Sequence, residues 1–265
     1  MKLRIALVQF GRDRDNKPKN VERMLSILPA IKNVDVVCLS EAWTGGAELF
    51  LEEKERESLL SSLCQIAAEN NYNLLTGGLF NRRGKKIFDT CHIINRDGKV
   101  TGFYDKRFPS RAFDERELIS PGNVSSVFKI DDVKIGITIC VDAFYPELAR
   151  NLALKGACII FNPSNIPGNR SELWEHLSVT RAAENTVFYV YVNNTNTLYP
   201  DGRMVKGYSL VAAPDGEIIL EAGEKENVFQ SELDLSRINK IRERWQYLDD
   251  IRQQPVLLNQ KTNKK

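Results

Sequence analysis

Short β-branched runs separated by amphipathic helical stretches recur along the whole chain, and this alternation constrains the fold more than any other feature. It is clearest in "IGITICVDAFYPELARNLALKG", Ile135 to Gly156. Residues 133–139 read as a buried strand. From Pro146 onward, Leu148, Leu152 and Ala153 recur at helical spacing, with the proline suited to a first turn and Gly156 to a stop. Cys140 stands where the two patterns meet, at a strand's C-terminal end and just ahead of a helix. In open α/β sheets that edge forms the ligand crevice, and a helix N-terminus nearby favours a thiolate. A cysteine in a buried strand is more often only a small apolar residue, so its role depends on what else the chain brings to it.

Strand patterns also cover residues 4–9, 34–40, 73–80, 87–95, 158–161, 188–193, 208–212 and 218–221, and helical spacing covers 18–31, 54–69, 146–155 and 172–184. Asp97-Gly98 and Asp215-Gly216 mark two antiparallel hairpins. Helices alternating with buried strands imply two packed mixed sheets, or one large sheet, covered by helices. With 265 residues and no repeat or low-complexity linker, one domain over 1–265 is expected, the Lys-rich end from about 255 being a frayed tail. The polar section 103–123, carrying Pro109, Pro121 and Gly122, is long for a connection and reads as a functional loop.

Several function classes are disfavoured by composition. Net charge is only +2 and no basic stripe carries interleaved aromatics, so no nucleic-acid partner is expected. No apolar run approaches a membrane span, and the opening "MKLRIALVQF" lacks a signal-peptide pattern, so a cytoplasmic location away from membranes is expected. Five cysteines without CxxC spacing argue against a disulfide framework or a zinc site. The two histidines, His92 and His176, fall within a strand and a helix, and no GxSxG or Gly-rich phosphate loop is present. Neither metal nor cofactor is expected.

A cysteine nucleophile can use a carboxylate as its base. Glu41 follows the apolar run "VDVVCLS", in a position parallel to that of Cys140; taken alone it is equally a solvated strand-end acid or a helix cap. Lys106 opens the polar loop. A lysine there is usually a solvated charge, but one aimed at a site can lower a thiol's pKa and stabilise an oxyanion. Glu115, in "AFDER", can fix such a lysine by a charge-assisted hydrogen bond.

Together, "LSEAWTGG", "YDKRFPSRAFDERELISPG" and "GITICVDAFYPELARNLALKGACIIFNPSN" resemble, in order and context, three signature segments of the nitrilase superfamily of carbon-nitrogen hydrolases. The likeness extends through "WEHLSVTRAAENTVFYVYVNN" to "DLSRINKIRERW". It implies an α/β fold, a four-layer αββα sandwich of two mixed β-sheets flanked by helices. It also implies a site of Glu41 as acid and base, Lys106 as oxyanion stabiliser and Cys140 as nucleophile, with Glu115 in support, and a homodimer or larger homo-oligomer. Two departures stand out. Ser40 precedes Glu41 where the family usually has proline, and the nucleophile is followed by Val-Asp where true nitrilases read Trp-Glu.

An amide or N-carbamoyl group of a small molecule is therefore expected as substrate rather than a nitrile. It would be cleaved through a cysteine thioester with release of ammonia or an amine. Acyl transfer to an amine or alcohol is the alternative, a nitrilase or a non-catalytic binding protein of the same fold a lesser one. The backbone N–H of Val141 is expected to join Lys106 around the oxyanion. Selectivity is expected from Trp43, Glu48, Arg107, Arg111, Phe144, Tyr145 and Asn165, with Arg107 and Arg111 suited to a carboxylate unless they are simply solvated.

Overall fold

Strand β1 (Lys2–Gln9) is apolar on both faces: Leu3, Ile5 and Leu7 enter one core while Ala6 and Val8 enter another. Strand β2 (Val36–Leu39) repeats the division, with Val36 and Cys38 on the first side and Val37 and Leu39 on the second. A sheet built from such strands has to be covered on both faces. The computed structural model, which describes residues 1–111 and 115–254, shows how. The expected tail from 255 and residues 112–114, the first three of "AFDER", lie outside the described residues.

The first sheet adds β3 (Asn73–Leu75), β4 (Leu79–Arg83), β5 (Lys86–Ile94), β6 (Val100–Asp105) and, from the far end of the chain, β15 (Asn227–Asp234). Its order is β15-β1-β2-β3-β5-β4, with β6 on the other edge of β5. β1, β2 and β3 run parallel. The second sheet contains β7 (Phe128–Ile130), β8 (Val133–Ile137), β9 (Ile159–Ser164), β10 (Phe188–Asn193), β13 (Leu210–Ala212) and β14 (Ile218–Glu221), in the order β14-β13-β10-β9-β8-β7. Here β8, β9 and β10 are the parallel centre. A small ribbon of β11 (Thr195–Leu198) and β12 (Met204–Lys206) stands apart.

One core joins the sheets: Ile5, Leu7, Val36 and Ile93 from the first share it with Ile137, Phe161 and Val190 from the second. On the outer face of the first sheet, Met24 of α1 (Lys17–Ile27) and Leu59, Leu63 and Ala67 of α2 (Glu53–Asn70) pack over Val37 and Leu39. Across the second sheet lie α4 (Pro146–Leu154) and α5 (Ser171–Asn185), reached in the chain after the one-turn α3 (Glu115–Leu118). A Cβ on Gly136 of β8 would come within 2.8 Å of Leu152, so glycine there sets the close approach of α4. Helices α6 (Ser236–Arg244) and α7 (Tyr247–Gln253) close the described chain. The result is the four-layer αββα arrangement.

Three local differences from the sequence expectation have physical causes. Residues 73–80 form two strands, because Gly77 takes φ +66° and breaks the run. A Cβ on Gly77 would lie 1.9 Å from the Ser40 carbonyl oxygen, so the break also admits the segment leaving β2. β8 stops at Ile137 rather than 139, short of a left-handed backbone at Cys140, φ +51°. β15 carries no strand pattern in the sequence because it is an edge strand whose residues are mostly half-buried or exposed.

Candidate active site

Parallel strands put their C-terminal ends on one side of a sheet, and three of the expected residues follow such ends. Glu41 lies two residues past β2, Lys106 directly past β6 and Cys140 three past β8, so the first two come from one sheet and the cysteine from the other. The sheets are tied together at this end. The Glu41 N–H donates to the Ser164 carbonyl at 3.3 Å, and Asn194 Nδ2, just past β10, donates to the Glu41 carbonyl at 2.5 Å. Ser40, the residue standing in place of proline, donates its hydroxyl to Asn194 Oδ1 at 2.5 Å.

Cys140 opens a 3-10 turn, Cys140–Phe144, with a left-handed φ that a non-glycine residue adopts only where its surroundings impose it. The imposing group is Asp142. Its Oδ2 accepts from the Ile139 N–H at 3.0 Å, the Tyr104 hydroxyl at 2.7 Å and the Arg107 N–H at 3.3 Å, while its Oδ1 accepts from the Phe108 N–H at 2.9 Å. One buried carboxyl thus binds the cysteine's turn to the segment that carries Lys106.

Lys106 is 1% exposed. Its Nζ lies 2.6 Å from Glu41 Oε1, 2.6 Å from Glu115 Oε1 and 3.6 Å from Asp89 Oδ2. Glu115 is fixed in turn, its Oε2 accepting from the Ser110 N–H at 3.1 Å. Oxygens of Glu41, Asp89 and Glu115 fall within 4.8 Å of one another, the spacing of metal ligands, but the cation among them is the protein's own ammonium. Burial works against that charge, yet Glu115 and Glu41, with Cys140 and Asp89 behind them, outweigh it and hold the Lys106 pKa well above the ordinary lysine value.

The cysteine behaves differently from the expectation of a favoured thiolate. Burial first, and Glu41 next, push the Cys140 thiol well above its usual pKa, with Lys106 opposing only in part. At rest the sulfur is a thiol, and any nucleophilic role requires a base to take its proton.

Cys140, Glu41, Lys106, Glu115 and Val141 all border one cavity of about 320 Å³, room for a small molecule. Of the residues expected to select the substrate, Glu48, Phe144 and Asn165 line it. The other four lie elsewhere. Trp43 is fully buried on the α1 and α2 side of the first sheet, where its Nε1 donates to the Thr76 carbonyl at 2.8 Å. Arg107, in the bend that follows Lys106, points away from the cavity, donating to the Gly122 carbonyl at 2.7 Å beside a separate surface hollow. Arg111 is exposed outside the cavity wall. Tyr145, next to an inward Phe144, stacks on Phe108 with centroids 3.6 Å apart.

The cavity also holds a residue that the sequence did not suggest. Arg12, 6% exposed, lines it three residues past the end of β1, and its Nε and Nη1 are buried without a hydrogen-bond partner. Burial lowers its pKa, against weaker opposing pulls from Tyr199, Glu41 and Glu48. Within "GRDRD" it reads as one charge in a solvated loop; its position past a parallel strand, at the same end as Glu41, was the available signal.

The sequence model of the family described as carbon-nitrogen hydrolase matches residues 4–243. The chain belongs to the carbon-nitrogen hydrolase family. Among curated relatives of this hydrolase, the 2-oxoglutaramate amidase of Bacillus subtilis (strain 168) is 30% identical over 257 residues, spanning 95% of this chain and 98% of that one. An omega-amidase of Xenopus tropicalis is 30% identical over 260 residues, 91% of this chain and 92% of that one. Saccharomyces cerevisiae Nit3, of branch 10 of the nitrilase superfamily, superposes with a TM-score of 0.83 at 28% identity, covering 92% of this chain and 94% of that one. A carbon-nitrogen hydrolase from Helicobacter pylori G27 shares the fold, with a TM-score of 0.86 at 24% identity and 96% coverage of both chains. The hydrolase is thus an enzyme for non-peptide carbon-nitrogen bonds of small molecules.

Proposed function

We propose that the hydrolase cleaves a small amide bearing a carboxylate, with Cys140 as nucleophile, Glu41 as proton carrier, Lys106 as oxyanion stabiliser, Glu115 holding Lys106, and Arg12 receiving the carboxylate. The observation that supports this most is the Lys106 ammonium, held 2.6 Å from two carboxylates in the cavity that the Cys140 thiol also borders. Base, fixed cation and nucleophile then stand around one space with no need of a cofactor.

Glu41 takes the thiol proton as the sulfur attacks the amide carbon, and the carbonyl oxygen becomes an oxyanion beside Lys106 and the Val141 N–H. Collapse of that intermediate breaks the C–N bond while Glu41 returns the proton to nitrogen, releasing ammonia and leaving a thioester on Cys140. Water then attacks the thioester, giving a proton to Glu41, and the second oxyanion collapses to the acid as Glu41 returns that proton to the departing sulfur, restoring the thiol.

Arg12, whose Nε and Nη1 are buried without a partner, supports a substrate that carries an anion. Burying a cation without a partner is costly unless something bound there supplies the anion, and a carboxylate matches a guanidinium fork in two parallel hydrogen bonds. The name of the Bacillus relative agrees, since 2-oxoglutaramate is an amide with a carboxylate at its other end. Assembly into a homodimer or larger oligomer, resting on the family resemblance, and the cytoplasmic location expected from the sequence belong to the same reading; among the described residues no helix is long and apolar enough to cross a membrane.

Ammonia release measured over paired amides, with and without a distal carboxylate, tests the substrate class. Arg12→Met should lower kcat/KM for the carboxylated member by roughly ten- to a hundred-fold, the worth of hydrogen bonds to a charged group, and change the neutral member much less. Equal losses on both members would remove Arg12 from substrate recognition.

A further inference from the structure

Asp89 is the one carboxyl of the cluster to which the reaction scheme above gives no work. It lies in the middle of β5, is fully buried, and its own carbonyl accepts the Lys106 N–H at 2.8 Å. Both of its carboxyl oxygens are buried without a hydrogen-bond donor, and the Lys106 ammonium, at 3.6 Å, is a full 1.0 Å farther from it than from Glu41 or Glu115, at 2.6 Å. Gly78 brings Asp89 against Glu41. A Cβ on that glycine would fall 2.4 Å from Asp89 Oδ1 and 2.9 Å from Glu41 Cγ, so the two acidic side chains close over the same bare stretch of backbone.

As an anion, Asp89 would be a buried charge with no donor, beside two further carboxylates and only one ammonium. Like charges this close do not all ionise; one of them keeps a proton. As a neutral carboxyl, Asp89 becomes a donor with an acceptor next to it.

We propose that Asp89 is a positioning residue that carries a proton in the resting enzyme and donates it as a hydrogen bond to the Glu41 carboxylate, orienting that carboxylate between Lys106 and Cys140. The inference rests on the reading of Glu41 as proton carrier. Of the groups facing Asp89, Glu41 from the end of β2 and Glu115 from α3 repel a charge there and favour the proton, Lys106 from the end of β6 opposes them, and Cys91, two residues along β5, is neutral, its thiol pushed up to about 12 by burial. Burial, with Glu41 next, sets the Asp89 carboxyl well above the usual carboxylate range. A neutral Asp89 also leaves the ammonium to Glu41 and Glu115 instead of competing for it.

Infrared difference spectroscopy at neutral pH, wild type against Asp89→Asn, reads the proton directly and independently of turnover. The wild type should show the carbonyl stretch of a protonated carboxyl, shifted in D₂O and missing from Asp89→Asn. Its absence from the wild type would mean that Asp89 is ionised and would overturn the proposal, whatever the fate of Glu41. Kinetics then test the positioning. Asparagine keeps an N–H donor in the same shape and valine does not, so kcat should fall about ten-fold or more in Asp89→Val and be largely recovered in Asp89→Asn, with KM little changed in either. Equal kcat in the two variants, with the infrared band present, would show a proton that positions nothing and would equally overturn the proposal.

Discussion

Replacing Lys106 by methionine removes a cation but keeps the length of an unbranched side chain, and it should act in two separable ways. The first is catalytic. An ammonium held 2.6 Å from both Glu41 and Glu115 cannot be replaced by water without disturbing both, and what it offers a tetrahedral oxyanion has no substitute except the backbone N–H of Val141. Loss of one such donor costs about 3–4 kcal/mol of transition-state stabilisation, so kcat should fall roughly a hundred- to a thousand-fold with little change in KM. The second effect is on folding. Lys106 is 1% exposed, and its removal leaves three carboxyls within 4.8 Å of one another with no cation among them. Uncompensated, the lost partner costs about 3–5 kcal/mol, and the folded protein answers by binding protons to the cluster more tightly than the unfolded chain does. A native state that binds more protons loses stability as pH rises. Lys106→Met, relative to wild type, should therefore be most destabilised at alkaline pH and least near pH 5. Ammonia-release kinetics at saturating substrate give kcat and KM, and urea unfolding across the pH series gives the stability difference. A variant with near wild-type kcat and a raised KM would make Lys106 a substrate-binding group, and a stability loss independent of pH would refute the charge cluster as described.

Two further outcomes follow from named contacts. Gly77→Ala puts a Cβ 1.9 Å from the Ser40 carbonyl oxygen at a left-handed backbone, so it should lower the melting temperature and displace Glu41 enough to depress kcat; Gly84→Ala, also left-handed but with nothing within 4 Å, should show only the backbone cost of about 1–2 kcal/mol. If the two variants match in stability and activity, the contact with Ser40 has no consequence. His92 is buried and its pKa is lowered to about 4, with desolvation first and the charges of Arg56 and Arg83 behind it. The unfolded chain takes up that proton near pH 6.5 and the folded one only near 4, so stability present above pH 6.5 is lost as pH falls, by about 3 kcal/mol when the loss is complete. Denaturant unfolding of His92→Leu should show a shallower acid limb than wild type; parallel limbs would mean that His92 ionises freely in the fold.

The sequence carried the layers and the strand ends well. Short β-branched runs apolar on both faces, such as residues 5–8, fit sheet strands covered on two sides; Glu41 and Cys140 each follow such a run, and Lys106 follows a half-exposed strand at the start of the polar loop. Side-chain direction past those ends was harder to read. It turns on one residue of backbone, so Arg107 points away where Lys106 points in, and Trp43 goes to a core that composition alone cannot distinguish from a cavity wall. Arg12 was hidden by its setting among other charged residues. Asp89 had a signal, a lone acid in the middle of the strand-like "KIFDTC", since an acidic side chain is rarely buried without a special partner. The thiol state of Cys140 depends on the balance of Glu41 against Lys106 around it, and no local pattern encodes that balance.

The most direct test of the account is the mass of the enzyme caught in mid-reaction. Glu41→Gln keeps the shape of the side chain but carries no proton in either half of the reaction, so acylation and deacylation both slow; with a reactive amide, whose nitrogen departs readily, deacylation should be slowed more and the acyl group should stay on the protein. Intact-protein mass spectrometry should then show a gain equal to the substrate less ammonia, peptide mapping should place it on Cys140, and the double variant Glu41→Gln, Cys140→Ala should show none. An adduct on Cys38, Cys64, Cys91 or Cys158, or near wild-type turnover by Glu41→Gln, would contradict the thioester mechanism and the role given to this glutamate.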